Sequence, residues 1–230
     1  MNELIQSSVT FGVVLSIVCY FIGMWCKKRL GWSICNPLLI AIILVMVVLS
    51  CFHIDYDAYN SSAKYISYLL TPATVSLAIP LYLQIDKLKK HYAAILISIL
   101  AGTVMSAVSI LLFAMLFRLS HQEYVTLLPK SITTAIGMGV SEELGGYVTI
   151  TTAVIIVTGI LGNIIAVPVC RLLSITHPVA KGLAIGTSAH AIGTTKAMEL
   201  GETEGAMSSL AIVVCGLMTV ISASVFAAVY

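Results

Sequence analysis

Charge is what this sequence has least of. Of its 230 residues only 10% are Asp, Glu, Lys or Arg and 59% are hydrophobic, where a soluble domain carries about a quarter charged. No polar interval is long enough to bury a core of its own. A separate soluble domain is thereby excluded, and residues 1–230 are read as one membrane domain. A basic patch with interleaved aromatics is also missing, and the net charge of +2 comes from loops, so nucleic acid is not an expected partner. The six cysteines (Cys19, Cys26, Cys35, Cys51, Cys170 and Cys215) form no CxxC pair and no metal-ligand spacing. They are read as packing residues, and no metal or cofactor is expected. Nor does any nucleophile stand beside a base in a catalytic pattern, so an enzyme is not expected.

What the sequence does have is apolar length. Runs of roughly the twenty residues needed to cross a bilayer lie near residues 9–25, 37–52, 66–83, 93–117, 148–172 and 206–229. An all-α, polytopic protein with about six transmembrane helices follows. The first run has neither a basic leader nor a small-residue cleavage site, and is expected to remain as a span. Lys27, Lys28 and Arg29, like Lys87, Lys89 and Lys90, fall in short loops that the positive-inside rule assigns to the cytoplasm. Asp55 and Asp57 sit in the loop between, which suits the outside.

Two stretches are too polar and too broken for plain spans. Residues 183–200 read LAIGTSAHAIGTTKAMEL, and the same frame occurs fifty-six residues earlier: Ala135-Ile136-Gly137 matches Ala191-Ile192-Gly193, and Glu143-Leu144-Gly145 matches Glu199-Leu200-Gly201. The register continues into the two spans that follow, so the C-terminal half reads as two copies of one unit, 127–173 and 183–230. Residues 1–126 are left mainly as scaffold and dimer interface. The first stretch, 127–146, is interrupted by Pro129, Gly137, Gly139, Gly145 and Gly146, which predicts a re-entrant hairpin. A hairpin plus one crossing is an odd number of traversals, so the second copy enters from the opposite side. Inverted repeats whose broken tips face each other near the midplane imply an elevator-like carrier. Upstream, Pro72 and Pro80 predict a broken third span. There Thr71, Thr74 and Ser76 serve either the freed backbone or the substrate. Gly102, Ser106 and Ser109 predict close packing by the fourth span.

The tips carry the candidate chemistry. Ser131, Thr133, Thr134 and Gly137 belong to the first, and Ser188, His190 and Gly193 to the second. Thr194 and Thr195 are expected to cap a half-helix beginning at Lys196, leaving N–H groups free to receive an anion. With Lys196 as the cation, this makes a pocket for a small carboxylate. A lone charge at mid-bilayer costs on the order of 3 kcal/mol. Lys196 and Glu199, three apart on one face, therefore either bind substrate or simply clamp each other. His190 is either a carrier of a coupled proton or a hydrogen-bonded structural residue. Pro72, Thr74, Glu199, Ser208 and Ser209 complete the set as supporting residues.

Several of these stretches resemble the LrgB/CidB family of bacterial membrane proteins, whose relatives include the plastid glycolate/glycerate translocator. The likeness is carried by Pro129-Lys130-Ser131-Ile132-Thr133, Glu143-Leu144-Gly145-Gly146, Thr158-Gly159-Ile160, Ala189-His190-Ala191-Ile192-Gly193-Thr194 with Lys196-Ala197 and Glu199, and Gly205-Ala206-Met207-Ser208-Ser209-Leu210. Thr71-Pro72-Ala73-Thr74 through Ile79-Pro80-Leu81-Tyr82 extends it upstream. The resemblance implies a multi-pass protein of the bacterial inner membrane and one of two functions. One is a secondary transporter of small monocarboxylates such as pyruvate or glycolate, working by alternating access as a homodimer, with proton coupling open. The alternative is an antiholin-like regulator of murein hydrolase activity and lysis, acting with a small LrgA/CidA-type membrane partner. The repeat and its polar tips favour the transporter.

Overall fold

Backbone groups in lipid must be satisfied within their own segment, and for long apolar runs the α-helix does this. The computed structural model describes residues 10–30, 36–69, 72, 75–76, 78–83 and 85–230. Every regular element among them is helical: α1 Phe11–Leu30, α2 Pro37–Cys51, α3 Tyr56–Ala63, a 3-10 turn Lys64–Leu69, α4 Ala78–Leu83, α5 Ile85–Phe117, α6 His121–Leu127, α7 Thr134–Glu143, α8 Val148–Leu172, α9 Pro178–Leu200 and α10 Glu202–Ala227. Four helical segments are long and apolar enough to cross a membrane: Phe11–Leu30, Tyr92–Phe117, Val148–Leu172 and Glu202–Ala227. This is an all-helical, multi-pass membrane protein. Six crossings were expected. The second, α2, covers the expected stretch as a 15-residue apolar helix, opening at Pro37 where Asn36 caps Leu38 and Leu39. Of the third expected crossing, residues 66–83, the described part includes the end of the 3-10 turn Lys64–Leu69 and α4 Ala78–Leu83; residues 70, 71, 73, 74 and 77, on which the expected break at Pro72 partly falls, lie outside the described residues.

The chain divides into two units, Met1–Ser76 and Leu77–Tyr230. In the first, α1 packs on α2 and α3. The Gly12 amide donates to Ser62 Oγ at 2.7 Å, Ser16 and Tyr59 share a hydroxyl bond of 2.7 Å, and a Cβ on Gly23 would meet the Pro37 carbonyl at 2.5 Å.

The second unit is built on α8 and α10, each accompanied by a chain that doubles back. After α6, residues 128–133 break the helix and α7 returns along α8. Ser141 lies opposite Thr151 (Oγ–Oγ1 2.7 Å), and Gly137 lies against Ile155. Thr126 of α6 reaches the same start of α8, accepting from the Tyr147 amide at 2.8 Å. In α9 the reversal falls at His190, whose φ of 41° and ψ of −139° are not helical. Gly182 and Gly186 of the first half pack on Glu204 and Ser208, so this half runs parallel to α10. Thr194 and Met198 of the second half meet Ser208 and Gly205, so that half runs antiparallel. Hence α9 returns to the end from which it started.

A further distance confirms the doubling in both places. A Cβ on Gly193 would stand 3.3 Å from the Ile185 carbonyl oxygen, and one on Gly137 3.5 Å from that of Pro129. Residues eight apart in a straight helix are about 12 Å apart. The two contacts also lie fifty-six positions from one another along the chain. The bases of the two turnbacks lie at opposite ends of α8, Thr126 and Ser141 beside Thr151, Lys181 and Leu200 beside Arg171. Gly137 of the first and His190 of the second both reach Ile155, in the third turn of α8. Helix α5 lays its small residues along both: Gly102 faces Thr187, and Ser106 donates to Ser131 at 3.1 Å.

Candidate functional site

Between α8 and the first half of α9 lies a cavity of about 510 Å³. Its walls are mostly aliphatic, from Leu161, Ile165, Val169 and Ile185, with polar atoms supplied by Thr158, Ser188 and Lys130. Among the described residues Lys130 is the one charged residue lining it. Its position follows from the break after α6: Pro129 cannot continue the helical bonding, and the chain turns through residues 128–133 before α7 begins at Thr134. The Lys130 ammonium donates to Ser131 Oγ at 3.0 Å and Ser106 Oγ at 3.2 Å, and those hydroxyls are 3.1 Å apart. An ammonium has three donors, so a third remains. Among the described residues no carboxylate pairs with Lys130. A charge held this way inside membrane protein is costly unless an anion joins it, and a carboxylate there would gain charge-assisted hydrogen bonds. The remainder of the wall would accept a short hydrocarbon tail.

His190 serves the other tip. Only 2% exposed, its ring is 3.0 Å from the Ile155 carbonyl through Nε2. A carbonyl only accepts, so Nε2 carries the proton. A Cβ on Gly159 would come within 2.6 Å of the ring's Cε1, so glycine there is what lets the imidazole approach α8. Positive φ in a non-glycine residue costs on the order of 1–3 kcal/mol and persists only where surroundings fix it. Here Asn163 helps, donating to the Ile192 carbonyl at 2.9 Å and to Thr195 Oγ1 at 3.1 Å.

The other expected residues fall into place around these two. Ser131 belongs to the Lys130 triangle, and Ser188 lines the cavity while bonding back to Ala184 at 2.6 Å. Thr133 is the N-cap residue of α7 without a side-chain cap bond, and Thr134 opens that helix. Gly137 and Gly193 are the points of close approach. Thr194 is buried against Ser208 at 2.7 Å, and Ser209 bonds to the Gly205 carbonyl at 2.9 Å. Lys196 pairs with Glu199 at 2.7 Å on an open face, 27% and 48% exposed, and does not line the cavity. Pro72 is exposed in the first unit; Thr71 and Thr74 lie outside the described residues. One expectation is corrected. The returning half of α9 starts directly after His190, not at Lys196, because His190 itself takes the non-helical conformation. Thr194 and Thr195 therefore donate to the His190 and Ile192 carbonyls at 2.9 and 2.7 Å instead of capping.

Sequence reasoning left Lys130 out of the site. The available signal was that it is the sole cation within an interrupted segment, directly after the proline that breaks it. Ser106 and Thr158 carried no comparable signal, since small hydroxyl residues in spans commonly bond their own backbone.

Residues 16–229 match the LrgB-like family. Proteins named antiholin-like protein LrgB from Bacillus mycoides (strain KBAB4), Bacillus cereus (strain B4264) and Bacillus anthracis (strain CDC 684 / NRRL 3495) are each 37% identical over 217 residues, 94% of this chain and 94% of their own. No solved structure matches the chain. With a family match spanning all but its first fifteen residues and last one, and relatives aligned nearly end to end, this chain belongs to the LrgB-like family.

Proposed function

We propose that the protein is a secondary carrier of small monocarboxylates, with the two turnbacks acting as re-entrant hairpins of an inverted repeat. The observation that carries this reading is the aliphatic cavity of about 510 Å³ with Lys130, among the described residues, as its single charged lining residue. Sites for small organic ligands have this make-up, apolar walls and a few converging polar groups. Chains that fold back from opposite ends of one helix and approach each other along it are the arrangement in which inverted-repeat carriers hold substrate. In this reading the carboxylate pairs with Lys130, and Thr158 and Ser188 bond its hydroxyl or keto oxygen. Residues 127–173 and 183–230 move as the elevator-like part in alternating access. The protein works without a catalytic step, as a homodimer in the bacterial inner membrane, with Arg171 and Lys181 on the cytoplasmic side by the positive-inside rule. His190, held between two helices, serves the fold of the tip. The test is uptake into proteoliposomes across a panel of two- to four-carbon acids, with and without a pH gradient. Wild type taking up a short acid that Lys130→Met does not is the expected result, and no uptake of any acid would refute the reading.

A second reading is favoured by the relatives, whose names describe antiholin-like proteins; by names alone it stands ahead of the carrier. In it the protein restrains lysis together with a small LrgA/CidA-type membrane partner. Complementation of a deletion strain separates the two. If Lys130→Met restores normal lysis timing as fully as wild type, lysis control does not depend on the cavity and the regulator reading gains.

A further inference from the structure

We propose that the hollow at the C-terminal end of α8 is a second anion site, a basic mouth that gathers small carboxylates and passes them to Lys130; this rests on the carrier reading above. The hollow has a volume of about 370 Å³ and is lined by Arg171, Lys181, Ser174 and Thr176 together with Cys170 and Ile175. Arg171 comes from the last turn of α8 and Lys181 from the first turn of α9. Neither has a carboxylate partner among the described residues, and the Ser174 and Thr176 hydroxyls make no hydrogen bond there. Two cations brought together by separate helices, with free hydroxyls between them and nothing to neutralise them, form a site complete except for an anion.

The connecting turn explains the convergence. Ser174 adopts φ 54°, its amide donates to the Arg171 carbonyl at 3.1 Å, and the Ile175 amide donates to the Cys170 carbonyl at 2.8 Å. Those bonds satisfy the Cys170 and Arg171 carbonyls in the last turn of α8. Cys170 and Ile175 also line the cavity that contains Lys130. The mouth and the inner cavity thus share a wall, and an acid leaving Arg171 passes along aliphatic surface to the next positive charge. A positive concavity with low-dielectric walls raises the local concentration of anions about tenfold or more. Loose fit suits this purpose, since a gathering site must release what it collects.

The experiment uses the full-length chain with its native cysteines replaced and Thr176→Cys introduced, in detergent. At low salt an anionic methanethiosulfonate is expected to label this thiol about tenfold faster than a cationic one. The preference is expected to fall toward unity in high salt and in Arg171→Gln/Lys181→Gln. Equal rates for the two reagents, or a preference that survives the double substitution, overturn the site. In a second arm, with native cysteines retained, the double variant in proteoliposomes is expected to show a five- to tenfold higher KM for glycolate or pyruvate with Vmax nearly unchanged. An unchanged KM overturns the mouth even where the cysteine-replaced chain fails to fold. Protection of the thiol by free glycolate in neutral-lipid vesicles supports the proposal, whereas protection that needs phosphatidylglycerol assigns the site to a lipid headgroup and overturns it. If the Thr176→Cys chain labels with anion preference yet wild type transports no acid, the anion site stands and the carrier reading falls.

Discussion

The segment around Lys130 and the segment around His190 double back on one backbone plan, with Gly137 and Gly193 each pressed to a carbonyl eight residues earlier. Their polar residues are put to different use. Fifty-six positions after Lys130 comes Gly186, where a Cβ would stand 2.5 Å from the Ser208 carbonyl, so the second turnback has no room for a long side chain where the first projects an ammonium. At the position matching His190 the first has Thr134, an ordinary helix start. One turnback is closed onto α10 by Gly182 and Gly186 and onto α8 by a buried histidine. The other is left open beside a cavity with an unpaired charge. The shared glycines are required by the reversal of the chain, and the difference between Lys130 and Gly186 separates the place where a ligand is held from the place where helices are packed.

The largest effect is expected from filling the reversal itself. In Gly193→Val the new Cβ would lie 2.5 Å from that of Ala189 and the branch would press on Ile185. Overpacking of this degree costs on the order of 3 kcal/mol or more in a site that cannot shift, and the purified variant should melt well below wild type or aggregate on size exclusion. Gly139→Ala is the control, because nothing lies within 4 Å of a Cβ there; it should melt at or slightly above the wild-type temperature, as alanine is the better helix former. If the two variants melt alike, close approach at Gly193 is not what holds the second turnback.

Next in size is the contrast between two lysines. Lys130→Met is expected to lower uptake of a short acid about a hundredfold, the loss of a charge-assisted contact of roughly 3 kcal/mol. Lys196→Met should change uptake less than threefold, because its ammonium is already paired with Glu199 on an exposed face, where such pairs contribute little. Equal losses would erase the distinction drawn between the turnbacks and return Lys196 to the site.

Much of this plan was legible in the sequence. Pro129, the glycines of 137–146 and the repeated Ala-Ile-Gly triplet marked both interruptions, because proline and clustered glycine act on the backbone whatever surrounds them. The start of the returning half of α9 was not legible. Thr194 and Thr195 look like caps by residue type, but the reversal is made by His190, a residue with no intrinsic preference for it, held by Ile155 and packed against Gly159 through contacts 31–35 residues away. For the same reason Lys196 looked like the binding cation. Spacing put it on one face with Glu199, while the cavity forms from residues on α8, α9 and the break before α7, a convergence that no local pattern encodes.

The smallest expected effect distinguishes how the turnbacks begin. Helix α6 opens with a capping box: the Ser120 amide and hydroxyl donate to Glu123 at 2.7 and 2.8 Å, and the Glu123 amide donates to Ser120 Oγ at 3.3 Å. Helix α9 opens on His177 with no side-chain cap and relies on Pro178 in its first turn. Bonds from the Ser120 amide and then its hydroxyl hold the Glu123 carboxyl below its usual range. A depressed carboxylate pKa means that the box contributes at neutral pH and that its contribution disappears as pH falls through the folded-state value. Ser120→Ala should therefore speed hydrogen exchange at the first amides of α6 at pH 7, consistent with loss of about 1 kcal/mol of local stability, and leave those of α9 unchanged. Acidification of wild type below the carboxylate range should change exchange in the same direction but less, because the Ser120 Oγ bond to the Glu123 amide survives it, and Glu123→Gln should remove that acid dependence. Faster exchange in both helices on Ser120→Ala would mean that the two turnbacks open together, as one unit.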